Sequence, residues 1–109
     1  MTAAVPILVR NARLLDPSAG MDRAGDLLLT EGRVQRVGDS VRDGDVPPGW
    51  LVIDGRGLVA CPGFIDVHSH GGLTILKEPR HEPKVRQGIT TELVGIDGNS
   101  VAPFKTQDE

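Results

Sequence analysis

A Pro62-Gly63 break divides this chain, and the contrast between its two sides constrains the fold more than any other feature. Before the break, short apolar runs alternate with turn residues. After it, Phe64-Ile65-Asp66-Val67 forms one apolar run that ends at His68-Ser69-His70 and a Gly71-Gly72 pair. Proline has no N–H to give a ladder, and glycine tolerates positive φ, so both punctuate regular structure. With 14 Gly and 8 Pro in 109 residues, the chain is expected to hold many turns, few long helices and a β-rich first half.

Segment by segment, Ile7 to Leu15 has strand character and Asp16-Pro17-Ser18-Ala19-Gly20 is turn chemistry. Asp26 to Thr30 and Arg33 to Gly38 read as a hairpin around Glu31-Gly32, with a bulge or edge twist because Val34 and Val37 do not alternate. Asp39 to Pro48 is a solvated loop, Trp50 to Asp54 a short strand, and Leu58 to Cys61 an extended apolar piece. Beyond the break, Phe64 to Val67 reads as a buried parallel strand and Ile89 to Val94 as a second. Pro79 and Pro83 exclude one regular helix through Leu73 to Val85. The stretch from Leu73 to Val85 has room for one or two short helical turns, and His81 to Gln87 is the best helical piece, stopped by Gly88. Residues 64–94 therefore read as one βαβ unit. The expected division is 1–62 and 63–109.

Charge and composition narrow the partners. Lys and Arg number 12 against 15 Asp and Glu, a net charge of −3, which gives no electrostatic reason to expect nucleic acid or an anionic membrane. One Trp, two Phe and no Tyr leave little for base stacking. No apolar run approaches the ~20 residues of a membrane span, and Met1 to Arg10 lacks the pattern of a signal peptide. A single cysteine, Cys61, excludes an internal disulfide framework, and a cytoplasmic location is expected.

The sharpest chemical signal is His68-Ser69-His70. Residues i and i+2 at a strand end point the same way, so two imidazoles there can converge on one cation, and neutral imidazole suits Zn²⁺ and its first-row neighbours. The plainer reading is two histidines at a strand end. Asp66, two residues earlier, would share their face as an acceptor for an imidazole N–H, or would serve the turn. Plain readings also apply elsewhere: Cys61 as a small buried hydrophobe, Trp50 as a packing anchor, Lys77, Lys84 and Arg86 as a solvated face, and His81 as a solvated or capping residue.

Pro62-Gly63-Phe64-Ile65-Asp66-Val67-His68-Ser69-His70 resembles the signature of the amidohydrolase superfamily. The strands before it resemble that superfamily's N-terminal pattern. Glu82 to Thr91, and Val94-Gly95-Ile96-Asp97-Gly98-Asn99-Ser100-Val101-Ala102-Pro103, resemble its D-aminoacylase branch, the N-acyl-D-amino-acid deacylases. The resemblance implies that residues 1–62 supply strands of a composite β-sandwich and that residues 63–109 begin a (β/α)8 barrel. A barrel takes ~250 residues, so the barrel is incomplete here, and the chain is expected to be the N-terminal portion of a larger enzyme.

The resemblance also implies a mechanism. A divalent metal, usually Zn²⁺, polarises an amide carbonyl and activates water. His68 and His70 match its first two ligands. Asp97 stands where the branch often has a cysteine ligand, and it either ligates as a carboxylate or serves an ordinary Asp-Gly turn. Gly71-Gly72 stands where the branch often has an acidic residue. The later histidines and the catalytic Asp of such enzymes have no counterpart here, so no catalytic residue is assigned. Deacylation of an N-acyl-D-amino acid, a small-molecule amide, is the expected activity of the parent enzyme, with the isolated chain inactive. The rival expectations are hydrolysis of a cyclic amide, as in dihydroorotase-like or hydantoinase-like proteins, and a β-rich fragment with no activity of its own.

Overall fold

A computed structural model of the chain describes residues 5–72, 74–98 and 100. Leu73, Asn99 and the Val101-Ala102-Pro103 end of the branch-like stretch lie outside the described residues. The chain forms two compact units, Met1–Pro62 and Gly63–Glu109.

Among the described residues the first unit forms one five-stranded sheet. Strands β1 (Ile7–Asp16) and β2 (Met21–Thr30) pair antiparallel, and β3 (Arg33–Val37) extends β2 by a hairpin. Strands β4 (Leu51–Asp54) and β5 (Val59–Ala60) both run parallel to β1, the first along Ile7 to Arg10 and the second along Arg13 and Leu14. The β1–β2 turn follows from its residues. Asp16 accepts the Ser18 N–H, Pro17 opens a 3-10 turn over Pro17–Ala19, and Gly20 closes it at φ 61°. Glu31 and Gly32 take φ of 52° and 71°, the two positive values a tight hairpin needs to match strand twist. The irregularity expected in this hairpin lies between Leu28 and Leu29.

Strand β2 is five residues longer than its apolar run, because Met21 to Gly25 pair with the second half of β1. That half is offset by a bulge between Val9 and Ala12, where Asn11 takes φ 57°. The core is small: Leu8, Leu28 and Val41 are buried together, with Val46 and Trp50 packed against them. The 39–48 stretch is thus partly a cover for the sheet, not only a solvated loop. Asp26, 4% exposed, anchors it. One of its carboxylate oxygens accepts the Asn11 N–H at 2.9 Å and the other the Val41 N–H at 2.7 Å. Cys61 is exposed, contrary to expectation, because β5 ends at Ala60 before it.

In the second unit β6 (Phe64–Asp66) pairs parallel with β7 (Ile89–Glu92). Between them lie two single helical turns, α1 (Thr74–Lys77) and α2 (Glu82–Val85). Pro83 sits in the first turn of α2, and Gly88 at φ 80° turns the chain into β7. The burial expected of the first strand is not found: Phe64 is 58% and Ile65 65% exposed. Among the described residues β6 pairs only with β7, which leaves little to cover those side chains.

Candidate metal centre

Strand β6 delivers the chain to a tight turn fixed on both sides. Asp66 Oδ1 accepts the His68 backbone N–H at 3.1 Å. Ser69, 2% exposed, donates its N–H to the Leu93 carbonyl at 3.1 Å, and its Oγ accepts the Gly71 N–H at 3.1 Å. With Ser69 turned inward, its two neighbours face out, and the imidazoles of His68 and His70 lie 5.4 Å apart between ring centroids.

Asp97 meets them from beyond β7. It sits in the turn Ile96–Gly98 with φ 53°, a left-handed conformation that Asp and Asn tolerate better than most residues. Its Oδ2 lies 2.9 Å from His68 Nε2 and 3.4 Å from His70 Nε2. One ligand atom from each of the three lies within 4.8 Å of the others, and all three residues are exposed. The sequence thus names three residues that the fold brings together.

The donor set fits a zinc ion. Two neutral imidazoles and a carboxylate are standard ligands, and bonds of ~2.0–2.1 Å in a tetrahedron place ligand atoms ~3.3 Å apart. The His70–Asp97 separation already matches, the His68–Asp97 hydrogen bond needs to lengthen slightly, and the ligand atoms of the two histidines, within 4.8 Å of each other, need to close to the same spacing.

Of the two roles open to Asp66, the structure shows the turn. Its oxygens are taken by the His68 backbone N–H and the Lys84 ammonium, so it serves the turn and not an imidazole ring. The Lys84 hydrogen bond, then the His68 N–H, holds the Asp66 carboxyl below the usual carboxylate range despite some desolvation. Lys84, expected on a solvated face, instead lies among oxygens: Asp66 Oδ2, Glu92 Oε1 at 3.1 Å and Ser69 Oγ at 3.4 Å. Asp66 and Glu92 raise its ammonium above the ordinary lysine range. His81 is not solvated either. It stands at the head of α2 without capping it, and its Nε2 lies 3.1 Å from Glu92 Oε2, both side chains 14% exposed. Burial pushes the Glu92 carboxyl up, but Lys84 and His81 together outweigh it and the net shift is downward. Sequence reading missed this trio. The one available signal was Glu92 itself, a charge inside the β-branched run Ile89-Thr90-Thr91.

No family model matches the chain. Individual proteins do. It is 43% identical over 102 residues to an N-acyl-D-aspartate deacylase of Alcaligenes xylosoxydans xylosoxydans, covering 94% of this chain and 20% of that protein. It is 38% identical over 78 residues to a dihydroorotase of Geobacter metallireducens, covering 72% of this chain and 16% of that one. Its structure is similar to that of N-acyl-D-glutamate deacylase from Bordetella bronchiseptica, solved with zinc and a phosphonate that mimics the tetrahedral intermediate. That likeness has a TM-score of 0.68 at 31% identity, over 82% of this chain and 18% of that one. The chain thus spans a fifth or less of the length of these relatives.

Proposed function

We propose that the protein carrying this chain is a zinc-dependent deacylase of N-acyl-D-amino acids, since the chain matches the N-terminal portion of the amidohydrolase superfamily's D-aminoacylase branch. The observation that carries the reading is the convergence of His68, His70 and Asp97 at the end of β6 and beyond β7. His68, His70 and Asp97 would hold the metal. A zinc ion held there supplies Lewis acidity toward an amide carbonyl and toward water.

The chain's own residues prepare the site. Ser69 and Asp66 fix the turn so that both imidazoles leave it in one direction. Asp97, confined at positive φ, offers its carboxylate to both rings. In this reading residues 1–62 supply one sheet of a composite sandwich, and residues 63–109 supply the first two strands of a (β/α)8 barrel. The remaining ligands and the catalytic acid or base come from strands that this chain does not contain, so the chain alone is inactive. Among the described residues no helix is long and apolar enough to cross a membrane.

The deciding experiment takes the natural gene product, measures its intact mass and zinc content, and assays it on N-acyl-D-aspartate, N-acyl-D-glutamate and dihydroorotate. Turnover of a linear N-acyl-D-amino acid with bound zinc is expected. Turnover of the ring amide alone would transfer the assignment to the cyclic-amide class, the reading favoured by the 38% identity to a dihydroorotase. A product of this length, with no zinc and no turnover, would leave a non-catalytic β-rich module.

A further inference from the structure

The ε-ammonium of Lys84 has three N–H donors, and three oxygens surround it. They are Asp66 Oδ2, Glu92 Oε1 at 3.1 Å and Ser69 Oγ at 3.4 Å. Each belongs to a residue that also shapes the turn between β6 and the histidines. The other oxygen of Asp66 accepts the His68 N–H, and Ser69 Oγ accepts the Gly71 N–H. Glu92 precedes Leu93, whose carbonyl accepts the Ser69 N–H and whose N–H donates to the Asp66 carbonyl at 2.8 Å. His81 holds the outer oxygen of Glu92 at 3.1 Å. A lysine on a four-residue helix gains nothing locally from this pose, since a solvated side chain keeps more rotamers. The pose is set by what the ammonium gathers.

We infer that Lys84 is a positioning residue of the metal centre: by gathering Asp66, Ser69 and Glu92 it fixes the turn that aims His68 and His70 at Asp97. The consequence for metal affinity rests on the zinc reading above, whereas the consequence for the turn does not. Groups that orient metal ligands from behind are commonly worth 10–100-fold in metal affinity.

The test uses the intact protein that carries this chain and three variants. Lys84→Met removes the donors but leaves two carboxylates without their ammonium. Lys84→Met with Glu92→Gln leaves the net charge of the trio unchanged and serves where the single variant folds poorly. Lys84→Arg restores the charge. Amide hydrogen exchange on the metal-free protein reads the turn directly. Exchange at His68 and Gly71 is expected to quicken about tenfold or more in both methionine variants, with Val41 in the first unit unchanged. Zinc affinity by chelator competition is expected to fall about 10–100-fold, with an altered Co²⁺ ligand-field spectrum, and Lys84→Arg is expected to recover part of both. Wild-type exchange at His68 and Gly71, or an equal quickening at Val41, overturns the inference. If the unmodified protein takes up no zinc, the metal reading fails on its own, and the exchange data still decide whether Lys84 holds the turn.

Discussion

His68 Nε2 and Asp97 Oδ2 lie 2.9 Å apart although 29 residues separate them in sequence. The first ends the turn after β6 and the second sits in the turn after β7. Parallel pairing of the two strands places both turns at the same end of the sheet, which is where ligands collect in parallel β architectures.

This relationship predicts the outcome of changing the carboxylate. In the intact protein, Asp97→Ala is expected to weaken zinc binding by about tenfold or more, as is His70→Ala, because in the proposed zinc site each supplies a ligand atom. Asp97→Cys is expected to bind Co²⁺ with an ultraviolet thiolate charge-transfer band that the parent lacks. Absence of the band, with affinity unchanged in Asp97→Ala, would show that Asp97 serves only its turn.

A second prediction concerns the first unit. Asp26→Ala strips the acceptors from the Asn11 and Val41 N–H groups and loosens the cover over Leu8 and Leu28. Each buried donor left unpaired costs ~1–3 kcal/mol, so a loss of about 3 kcal/mol in urea unfolding is expected. A loss below ~1 kcal/mol would mean that water reaches both donors.

Two glycines separate by what a methyl group would strike. At Gly25 a Cβ would lie 2.3 Å from the Gly38 carbonyl oxygen, which is backbone. At Gly63 every atom it would strike belongs to the Thr90 side chain, with Oγ1 at 2.2 Å and Cβ at 2.8 Å, so a rotamer change relieves part of the clash but not the contact with Cβ. Gly25→Ala is therefore expected to destabilise by about 2–3 kcal/mol and Gly63→Ala by less. Thermal unfolding of both variants checks the order, and the reverse order would place the tighter constraint at β6.

Acid sensitivity has a predicted sign. Asp22 is held below the usual carboxylate range by the Arg13 hydrogen bond, and Asp54 by the Arg56 hydrogen bond. A lowered carboxyl pKa stabilises the fold above the unfolded value, and that contribution is lost as pH falls through the folded one. Both pairs are exposed, so the effect is small and salt-sensitive. Asp22→Asn and Asp54→Asn are each expected to flatten the fall in melting temperature from pH ~6 to ~3. A slope as steep as that of the parent would assign the acid limb to other groups.

Legibility in the sequence followed locality. Glu31-Gly32, Asp16-Pro17 and Gly88 specify their turns through φ and capping chemistry that neighbours alone decide, and all were readable. His68 and His70 were readable because two residues on one turn need no distant partner. Met21 to Gly25 were not readable as strand, since their partners are the residues of β1 beyond the bulge at Asn11. Lys84, His81 and Glu92 were missed for the same reason. They lie on separate segments, and only the pairing of β6 with β7 brings them together. Cys61 and Ile65 erred the other way: an apolar neighbourhood in sequence says nothing about whether another layer covers it.

Strand β1 receives neighbours on both edges, and they arrive at different times. Its β2 edge is closed by the residues that follow directly, whereas its other edge waits for residues 51–60 of β4 and β5. At synthesis rates of ~5–20 residues per second, that edge stays open for seconds, with its N–H and C=O groups offered to any extended chain nearby. The newborn chain therefore carries an unpaired, pairing-competent β1 edge until residues 51–60 arrive to close it.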